Sequence, residues 1–451
     1  MHKAISIREG LGLLRDKRYL TILMLGFSSG FPWVLHGHVL TLWMQDSGLS
    51  RSAIGYIGVI GSIYAINWIW SPLVDELRLP VLYRLLGQRR SWILLTMVLI
   101  VAAMVLLSMT DPAENMVWVT VFALAIAGLS ATQDVAVDAY RITIFNQDEY
   151  EEKLPYASAM ATIGWQAGYT MIGGALALWL GGESIGLEWP DVYRCLVFIY
   201  LVLIILVCLV PEPEVSASKT GLANAASISA TRQDKLRNWL VQNVIVPFSE
   251  FFQRCGLKLG LLILVFLVSF RLGEGMLGRM ALIFYRELGF ADDEIAFYRY
   301  LLGGLMTVVF SLLGAFINLR FGIIKGLFIG GVAMASANLL FAVMAMVGPE
   351  PWLLLLTLFI DNFCAAFATV AAISFMSYFT SRTYTGTQYA LMASISNFGR
   401  TSLAAGSGAV VDFLDGNWAV FFVLTTVMVI PALLLLIWIG RTLKTAEKSS
   451  P

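Results

Sequence analysis

The stretch 91–110 reads SWILLTMVLIVAAMVLLSMT and contains no charged residue. A helix of about 20 residues is long enough to cross the roughly 30 Å hydrocarbon core of a bilayer. Apolar stretches of this kind recur along the whole chain and predict membrane-spanning helices, numbered 1 to 12 below. The predicted spans are 19–43, 53–72, 91–110, 117–140, 157–180, 193–210, 257–285, 294–316, 323–347, 352–378, 386–412 and 418–440. The sequence therefore predicts an all-α membrane protein of about twelve spans.

The composition of the 451-residue chain excludes a soluble protein. Hydrophobic residues make up 58% of the chain and charged residues 13%, about half of the roughly 25% charged share of a soluble domain. The formal net charge is zero, so the total charge indicates no nucleic-acid partner. We expect the partners to be the lipid bilayer, protons and a small-molecule solute.

Sequence signatures of enzymes are missing from the chain. It has no phosphate-binding P-loop, no His-Glu-x-x-His zinc site and no nucleophile elbow,. The four cysteines are scattered without the spacing of metal ligands,. We therefore predict neither catalysis nor a bound cofactor or metal. Since the chain also has no nucleotide-binding domain, an ion or substrate gradient must supply the energy for any transport.

Basic residues alternate between the two sides of the predicted membrane. They crowd the segment before span 1 and the loop after span 2: Lys3, Arg8, Arg15, Lys17, Arg18, Arg78, Arg84, Arg89 and Arg90. The loops on the opposite side contain Arg51, Arg194, Arg286 and Arg299. The positive-inside rule then places both termini in the cytoplasm of a multi-pass protein of the bacterial inner membrane.

A linker divides the chain into two halves. Pro-Glu-Pro-Glu at 211–214 and an Ala/Ser-rich stretch separate span 6 from span 7,. Residues 235–254 mix apolar and basic side chains in the pattern of a helix that lies on the membrane surface,. Stretches 48–54 and 289–295 are weakly similar, which favours two repeats,. The predicted segments are a cytoplasmic N-terminal segment 1–18, a six-helix half 19–210, a cytoplasmic linker with an interfacial helix 211–256, a second six-helix half 257–440 and a cytoplasmic tail 441–451.

A short motif recurs after the second helix of each half. Ser71-Pro-Leu-Val-Asp75 and Gly314-Ala-Phe-Ile-Asn318 place an acid or its amide four residues after a small residue. They resemble the cytoplasmic loop motif of the major facilitator superfamily, in which a basic pair follows, here Arg89 and Arg90. We expect the two motifs and the basic pair to form a gate that locks one of two conformations. An ordinary basic loop is the alternative.

Ionisable residues lie inside predicted spans 4, 7 and 10. A charge at the bilayer centre costs roughly 2.5–3.5 kcal/mol, so such residues face a cavity or a partner. They are Asp134, Asp138 and Arg141 in span 4, Arg271, Glu274 and Arg279 in span 7, and Asp361 in span 10. In a two-repeat transporter, spans 1, 4, 7 and 10 are equivalent. The charges therefore lie where a central cavity would need them.

The carboxylates in these spans are candidates for proton coupling. Asp134 and Asp361 lie about equally far into the fourth helix of their halves and form a predicted symmetric pair. A desolvated carboxylate, or one of two close carboxylates, can exchange a proton near neutral pH. We predict coupling or cavity roles for Asp134, Asp138, Glu274 and Asp361. The alternative is that Asp134, Asp138 and Arg141 form a buried network that only fixes helix packing.

Arginine and aromatic side chains are candidates for substrate binding. A guanidinium stays charged and holds a carboxylate by two parallel hydrogen bonds, so Arg271 and Arg400 are predicted to bind an anionic substrate. The alternative for Arg271 is an internal salt bridge with Glu274, three residues further on. Aromatic rings in the cavity helices could stack on sugar rings. Further substrate-binding candidates are Gln133, Asn397, Trp33 and Trp165.

Five stretches make the chain similar to a known family. They are Leu25-Gly-Phe-Ser-Ser-Gly-Phe-Pro32, Ser71-Pro-Leu-Val-Asp75, Ala131-Thr-Gln-Asp-Val-Ala-Val-Asp-Ala139, Thr387-Gln-Tyr-Ala-Leu391 and Gly399-Arg400. With them the chain resembles the AmpG-type muropeptide permeases over about 19–440,. The stretches in span 4 and at the start of span 11 are the specific ones.

The resemblance implies the major facilitator fold and a transport function. Members of that family import anhydromuramyl peptides from the periplasm for cell-wall recycling, driven by the proton gradient. Enterobacterial members carry two further C-terminal spans that are not among the spans predicted here. Import of another bulky anion, such as a siderophore or an acyl-CoA-like compound, is the alternative. A non-transporting scaffold or a membrane-embedded enzyme would be a different class, but a scaffold would not need charges on pseudo-equivalent helices.

Overall fold

The structure is a computed structural model that describes residues 16–49, 59–181, 185–213, 241, 245–290, 302–401 and 406–449. The regular secondary structure of these residues is helical throughout, which confirms the predicted all-α class. Nine stretches of the described residues are helices long and apolar enough to cross a membrane: Lys17–Met44, Gln88–Ser108, Met116–Thr143, Trp189–Leu209, Leu257–Tyr285, Gly303–Phe321, Ile323–Val347, Pro351–Tyr378 and Trp418–Leu443.

These nine stretches correspond to spans 1, 3, 4, 6 to 10 and 12, and the described residues of the other three spans form shorter helical segments. Span 2 comprises Val59–Ala65, Asn67–Ile69 and Ser71–Glu76, span 5 comprises Gln147–Gln166, Ala167–Gly174 and Ala175–Gly181, and span 11 comprises Thr385–Thr401 and Ser407–Phe413. Two short helices lie outside the spans, Leu82–Leu86 before span 3 and Val246–Cys255 before span 7. We call Val246–Cys255 the linker helix.

Several predicted features fall on residues outside the described ranges. They are the N-terminal segment up to residue 15, parts of spans 2, 8 and 11, the repeat stretches 50–54 and 291–295, linker residues 214–240 and 242–244, and residues 182–184 and 450–451. The side chains of His38, Arg279 and Arg286 are outside the description as well.

The outer surface of the helix bundle is apolar. Large hydrophobic side chains such as Phe198, Ile205, Val309 and Leu434 are 61–70% exposed on spans 6, 8 and 12. Such a surface suits contact with lipid, because water would not solvate it.

Each half of the bundle has a core of its own. In the N-terminal half, spans 1, 3, 4 and 6 pack around Phe31, Met97, Ala127 and Tyr200. In the C-terminal half, spans 7, 10 and 12 pack around a second cluster that includes Phe266, Phe375 and Leu436. The halves meet where span 5 packs on spans 8 and 10 and where span 11 packs on spans 2 and 4.

Spans 1 and 5 cross unusually closely. A side-chain carbon at Gly30 would lie 2.1 Å from the carbonyl oxygen of Trp165, and one at Gly164 would lie 2.1 Å from that of Leu23. Only glycine allows this approach of the two backbones. The crossing brings Trp165 beside span 1, where the substrate-binding candidate Trp33 lies.

In each half, a tryptophan at the start of the sixth helix donates a hydrogen bond to an acidic residue near the end of the first helix. We call this contact the tryptophan clasp. Trp189, the first residue of span 6, donates its indole N–H to Asp46 Oδ2 at the end of span 1, at 2.7 Å. Trp418, the first residue of span 12, donates to Glu287 Oε2 at the end of span 7, at 2.8 Å. Because sixth and first helices are joined in the same way, the clasps support two pseudo-symmetric six-helix halves.

Candidate functional site

Asp134 lies at the contact between spans 4 and 1. The Ser29 hydroxyl of span 1 donates a hydrogen bond of 2.6 Å to Asp134 Oδ1. Ser29 belongs to the Phe-Ser-Ser-Gly part of the first family stretch, so that stretch supplies the hydrogen-bond donor for the carboxylate in span 4. The Asp134 side chain is partly buried.

Gln133 points into the packed interior of the N-terminal half. Its amide donates to Ser28 Oγ at 3.1 Å and accepts a hydrogen bond of 2.7 Å from the Tyr200 hydroxyl. The side chain is completely buried and ties spans 1, 4 and 6 together. The structure thus gives Gln133 a part in helix packing; its contact with substrate stays a prediction.

Asp138 and Arg141 form an ion pair about one turn closer than Asp134 to the C-terminal end of span 4. Arg141 Nη2 lies 3.0 Å from Asp138 Oδ1, and its Nη1 donates to Ser377 Oγ of span 10 at 2.9 Å. The guanidinium also lies 5.1 Å over the ring of Tyr389 in span 11. Arg141 is 1% exposed and Asp138 is 30% exposed. A buried cation therefore joins the two halves, and its carboxylate partner remains accessible.

Arg271, Glu274 and Arg400 form a charge group in the C-terminal half. The Arg271 guanidinium donates to both Glu274 oxygens at 2.9 and 3.1 Å, and Arg400 Nε lies 3.8 Å from Glu274 Oε1. The structure therefore contains the internal salt bridge that was the alternative for Arg271, and the contact of Arg271 with a substrate stays a prediction. One carboxylate lies between two guanidinium groups, so the group has an excess positive charge. Arg400 is 48% exposed and can accept a further anionic partner,.

Close packing of spans 7 and 11 places Arg400 beside this group. A side-chain carbon at Gly399 would lie 2.2 Å from the carbonyl oxygen of Val268 in span 7. The glycine lets span 11 approach span 7, which explains why Gly399-Arg400 occur together. Span 11 also packs on Val59–Ala65 of span 2 in the N-terminal half. The helix that carries Arg400 therefore lies at the boundary between the two halves.

Aromatic rings of spans 1, 2 and 5 form a cluster. The Trp33 ring lies 4.1 Å from Tyr64, 5.8 Å from Trp165 and 6.3 Å from Tyr169, measured between centroids. His36 Nε2 is 3.1 Å from the Tyr64 hydroxyl oxygen. The structure therefore brings the two predicted substrate-binding tryptophans together in one cluster with Tyr64 and Tyr169.

The predicted symmetric pair of Asp134 and Asp361 is wrong. Asp134 is the nineteenth residue of the 28-residue helix Met116–Thr143, whereas Asp361 is the eleventh of the 28-residue helix Pro351–Tyr378. Eight residues correspond to about 12 Å along a helix axis. The position equivalent to Asp134 holds Thr369, whose Oγ1 accepts a hydrogen bond of 3.4 Å from Arg271 Nη2. The predicted starts of the two spans, 117 and 352, lie one residue from the observed starts, so the error lay in matching the two positions along the spans and not in the span boundaries.

Asp361 and Asn397 are the two remaining candidates of the predicted site. Asp361 is partly buried in the first half of span 10. Asn397 is partly buried in span 11, three residues before Arg400. Their predicted roles in coupling and in substrate binding stay predictions.

The loop motif of the N-terminal half binds the start of span 11. Asp75 and Arg89 form an ion pair of 2.7 Å in which each side chain is 2% exposed. Asp75 also accepts hydrogen bonds from the backbone N–H groups of Gly386 at 3.1 Å and Thr387 at 2.8 Å. Arg89 Nη2 donates to Thr385 Oγ1 at 2.7 Å. The carboxylate thus caps a helix N-terminus in the other half, where negative charge is favourable.

The other two predicted gate residues behave differently. The backbone N–H groups of Arg89 and Arg90 donate to the two Glu212 oxygens at 2.8 and 3.1 Å, and the Arg90 guanidinium donates to the carbonyl of Cys208. Arg90 therefore fastens span 3 to the end of span 6 within one half. Asn318 is 1% exposed, and neither of its amide atoms has a hydrogen-bond partner among the described residues. Asn318 therefore does not repeat the hydrogen bonds of Asp75 among the described residues, and its gating role stays a prediction.

Further hydrogen bonds join the halves at the same end of the bundle. We call it the gate end, defined by loops 77–87, 144–146 and 379–384. Arg382 Nη2 donates to the carbonyl oxygens of Thr143 and Phe145 at 3.1 and 2.6 Å. The Tyr150 hydroxyl donates to the Ser377 carbonyl at 2.9 Å. The tryptophan clasps at the opposite end each join helices of one half, so the described polar contacts close the bundle at the gate end.

Comparisons with known proteins agree with this architecture. The family model described as Major Facilitator Superfamily matches residues 22–402. The "Putative transporter AmpG 4" of Rickettsia felis is 32% identical over 429 residues, which cover 95% of this chain and 98% of that protein. The "Anhydromuropeptide permease" of Escherichia coli K12 is 26% identical over 437 residues, covering 96% of this chain and 82% of that protein. The crystal structure of the transporter FucP in the outward conformation shares the fold, with a TM-score of 0.63 at 14% identity, covering 94% of this chain and 99% of that chain.

Proposed function

Because the chain belongs to the major facilitator superfamily, among its AmpG-type permeases, we propose that it imports muropeptides together with protons across the bacterial inner membrane. The chain is a secondary transporter and not an enzyme. The name of the E. coli relative supplies the substrate class, an anhydromuropeptide.

The observation that carries the substrate proposal is the pairing of the aromatic cluster with the charge group across the two halves. A muropeptide combines an amino-sugar ring with peptide carboxylates. The faces of Trp33 and Trp165 suit a sugar ring, and the exposed Arg400 guanidinium suits a carboxylate. Span 11, which carries Arg400, packs on Val59–Ala65 of span 2, and this segment contains Tyr64 of the aromatic cluster. One ligand is therefore proposed to contact both groups.

The proton is proposed to bind in span 4. Asp134 is proposed to take up the proton and to exchange it with Asp138, which shares its helix face. Asp138 in turn neutralises the buried Arg141. A proton on Asp138 removes that neutralising charge, and Arg141 then holds its contact to Ser377 without a carboxylate partner,. Proton binding thereby alters the contact that joins spans 4 and 10. This gives a physical link between the proton site and the closure of the bundle.

The described conformation is proposed to be the outward-facing one. The contacts of Asp75 and Arg89 with Thr385, Gly386 and Thr387 close the gate end, and the positive-inside rule assigns that end to the cytoplasm. Import then requires these cross-half bonds to break and the opposite end to close.

Orientation has its own test. Cysteines introduced at Ser216 in the linker and Ser449 in the tail should resist an impermeant thiol reagent that is applied to intact cells. Labelling at either position from outside would overturn the cytoplasmic placement of the linker and the termini.

Transport is tested with purified protein in vesicles. We expect labelled anhydromuropeptide to accumulate when the vesicle interior is alkaline relative to the outside, and to equilibrate without accumulation when a protonophore is added. Unlabelled siderophore and acyl-CoA serve as competitors. Competition by one of these compounds but not by muropeptide would assign the transporter to another bulky anion.

A further inference from the structure

The linker helix Val246–Cys255 docks on the start of span 11 through Gln388. The Gln388 side chain is 1% exposed. Its Nε2 donates to the Pro247 carbonyl at 2.9 Å and to Glu250 Oε2 at 2.5 Å. Its Oε1 accepts from the backbone N–H of Ser381 at 2.7 Å. Each polar atom of the side chain is therefore used to join the linker helix to the loop before span 11.

Arg254 strengthens the same attachment. Its Nη2 donates to the Phe379 carbonyl at 2.8 Å and lies 3.3 Å from Gln388 Oε1, while its Nε donates to Glu250 at 3.0 Å. Phe251 is 1% exposed and belongs to the core of the C-terminal half. The linker helix is thus fixed to the C-terminal half by polar and apolar contacts together.

Among the described residues, the linker helix meets the N-terminal half through one aromatic pair. The Phe248 ring meets the Trp68 ring of span 2 edge to face, with centroids 6.0 Å apart. A single aromatic pair is weak beside a buried network of charged and neutral hydrogen bonds. When the halves separate, the aromatic contact is the one expected to break.

We propose that the linker helix is a fixed part of the C-terminal half, fastened by Gln388, and that it moves with span 11 when the gate opens. The two residues that begin the Thr387-Gln-Tyr-Ala-Leu391 stretch then have separate tasks. Thr387 faces Asp75 of the other half and takes part in a contact that breaks in each cycle. Gln388 faces the linker helix and takes part in one that persists. This assignment holds whichever solute is transported.

Hydrogen exchange followed by mass spectrometry on the full-length protein in nanodiscs tests the proposal. In Gln388→Leu, the amides of 246–255 should exchange about tenfold faster or more, because the buried network is lost. In Asp75→Asn, the amides of 385–389 should exchange faster by a similar factor, while those of 246–255 stay protected. Thr387→Val is the matched control and should leave 246–255 unchanged. If Asp75→Asn loosens 246–255 as strongly as 385–389, the linker helix belongs to the gate interface and the proposal is overturned.

A charge-exchange pair covers the case in which Gln388→Leu unfolds. Gln388→Glu keeps the shape and the acceptor but cannot donate to Pro247, and it meets the carboxylate of Glu250. We expect faster exchange in 246–255 for this variant. Adding Glu250→Gln supplies a donor for the new carboxylate and should restore protection to within about threefold of the parent protein. The proposal is overturned if exchange in 246–255 is unchanged in Gln388→Glu. It is also overturned if the double variant does not restore the protection of these amides, because Gln388 then does not attach the linker helix.

Discussion

The two halves of the bundle share their helical plan and differ in the chemistry of their inner helices. Span 4 of the N-terminal half carries Asp134 and Asp138, whereas the equivalent helix of the C-terminal half has Thr369 at the position of Asp134. The C-terminal half instead has Arg271 and Arg400 beside Glu274. A carboxylate can change its charge, but a guanidinium stays charged. The proposed proton site and the proposed anion site therefore lie in different halves.

Features that the halves do share concern packing. The clasps of Trp189 on Asp46 and of Trp418 on Glu287 repeat almost the same distance at the same place in each half. The contacts that occur in both halves stabilise each half separately. The residues that occur in one half only are those proposed to bind the proton, the substrate or the other half. The comparison indicates that a residue without a counterpart in the other half is the better functional candidate.

The largest effect is expected from Asp134→Asn. Asparagine keeps the shape but cannot ionise, so uptake driven by a proton gradient should be abolished while counterflow exchange at equal pH is spared. A potential of 100 mV supplies about 2.3 kcal/mol per charge, enough for more than tenfold accumulation. Thr369→Val at the equivalent position is the control and should keep the gradient response. Gradient-driven accumulation by well-folded Asp134→Asn protein would remove Asp134 from the coupling mechanism.

Asp75 and Asn318 occupy the same position of the repeated loop motif in the two halves. The effects of replacing them can therefore be compared directly. Asp75→Asn leaves the buried Arg89 without its carboxylate, a loss that costs about 3–5 kcal/mol for a buried pair. Since the bonds to span 11 are proposed to form in the closed gate and to break when it opens, uptake should fall more than tenfold while equilibrium substrate binding is retained,. Equal uptake rates in Asp75→Asn and the parent protein would contradict a gate at this place.

Asn318→Ala is the matched variant in the other half. Asn318 has no hydrogen-bond partner among the described residues, so its removal should change the free energy of unfolding by less than about 1 kcal/mol and leave uptake intact. Thermal unfolding and vesicle uptake measure the two quantities. A transport defect as large as that of Asp75→Asn would show that both halves contribute to the gate.

A third effect, of intermediate size, is expected from Arg400→Gln. A hydrogen bond to a charged group is worth about 1.5–3 kcal/mol, so the KM for an anionic muropeptide should rise roughly 10- to 150-fold. Arg400→Lys keeps the charge but cannot form two parallel hydrogen bonds to a carboxylate. Its KM should lie between the KM of the parent protein and that of Arg400→Gln. The response to the proton gradient should be unchanged in both variants. If the KM is unchanged and the response to the proton gradient is altered, Arg400 acts in proton coupling and not in substrate binding, and the assignment of the anion site to the C-terminal half is wrong.

The all-α class and the nine described helices that are long and apolar enough to cross a membrane followed from the sequence, because length and apolarity alone define a span in a bilayer,. The pairing of Asp75 and Arg89 also followed from the repeated loop motif. Their partners Thr385 and Thr387, and the contact of Arg141 with Ser377, did not. Hydroxyl side chains are common in any helix, and only the packing of the halves shows which of them face a charge.

The smallest effect concerns the gate end of spans 1 and 5. Glu149, which precedes the predicted membrane segment 157–180, accepts hydrogen bonds from Arg18 and forms an ion pair of 2.7 Å with Lys153. The hydrogen bond from Arg18, followed by that from Lys153, lowers the pKa of Glu149 to about 2. A carboxylate with a lowered pKa stabilises the folded protein at neutral pH. This stabilisation is lost as the pH falls from 4.5, the ordinary pKa of a glutamate, to about 2, the pKa of Glu149 in the folded protein,.

Glu149→Gln should therefore lower the melting temperature at pH 7, and the difference from the parent protein should shrink as the pH falls below 4.5,. The side chains of Arg18 and Glu149 are 28% and 29% exposed, so solvent screens the pair and the expected loss is about 1 kcal/mol or less. Uptake should stay within about twofold of the parent protein, because this cluster joins spans 1 and 5 inside one half and crosses no gate. A melting-temperature difference that is constant from pH 7 to pH 3 would mean that Glu149 stabilises the helix ends by packing and not by its charge.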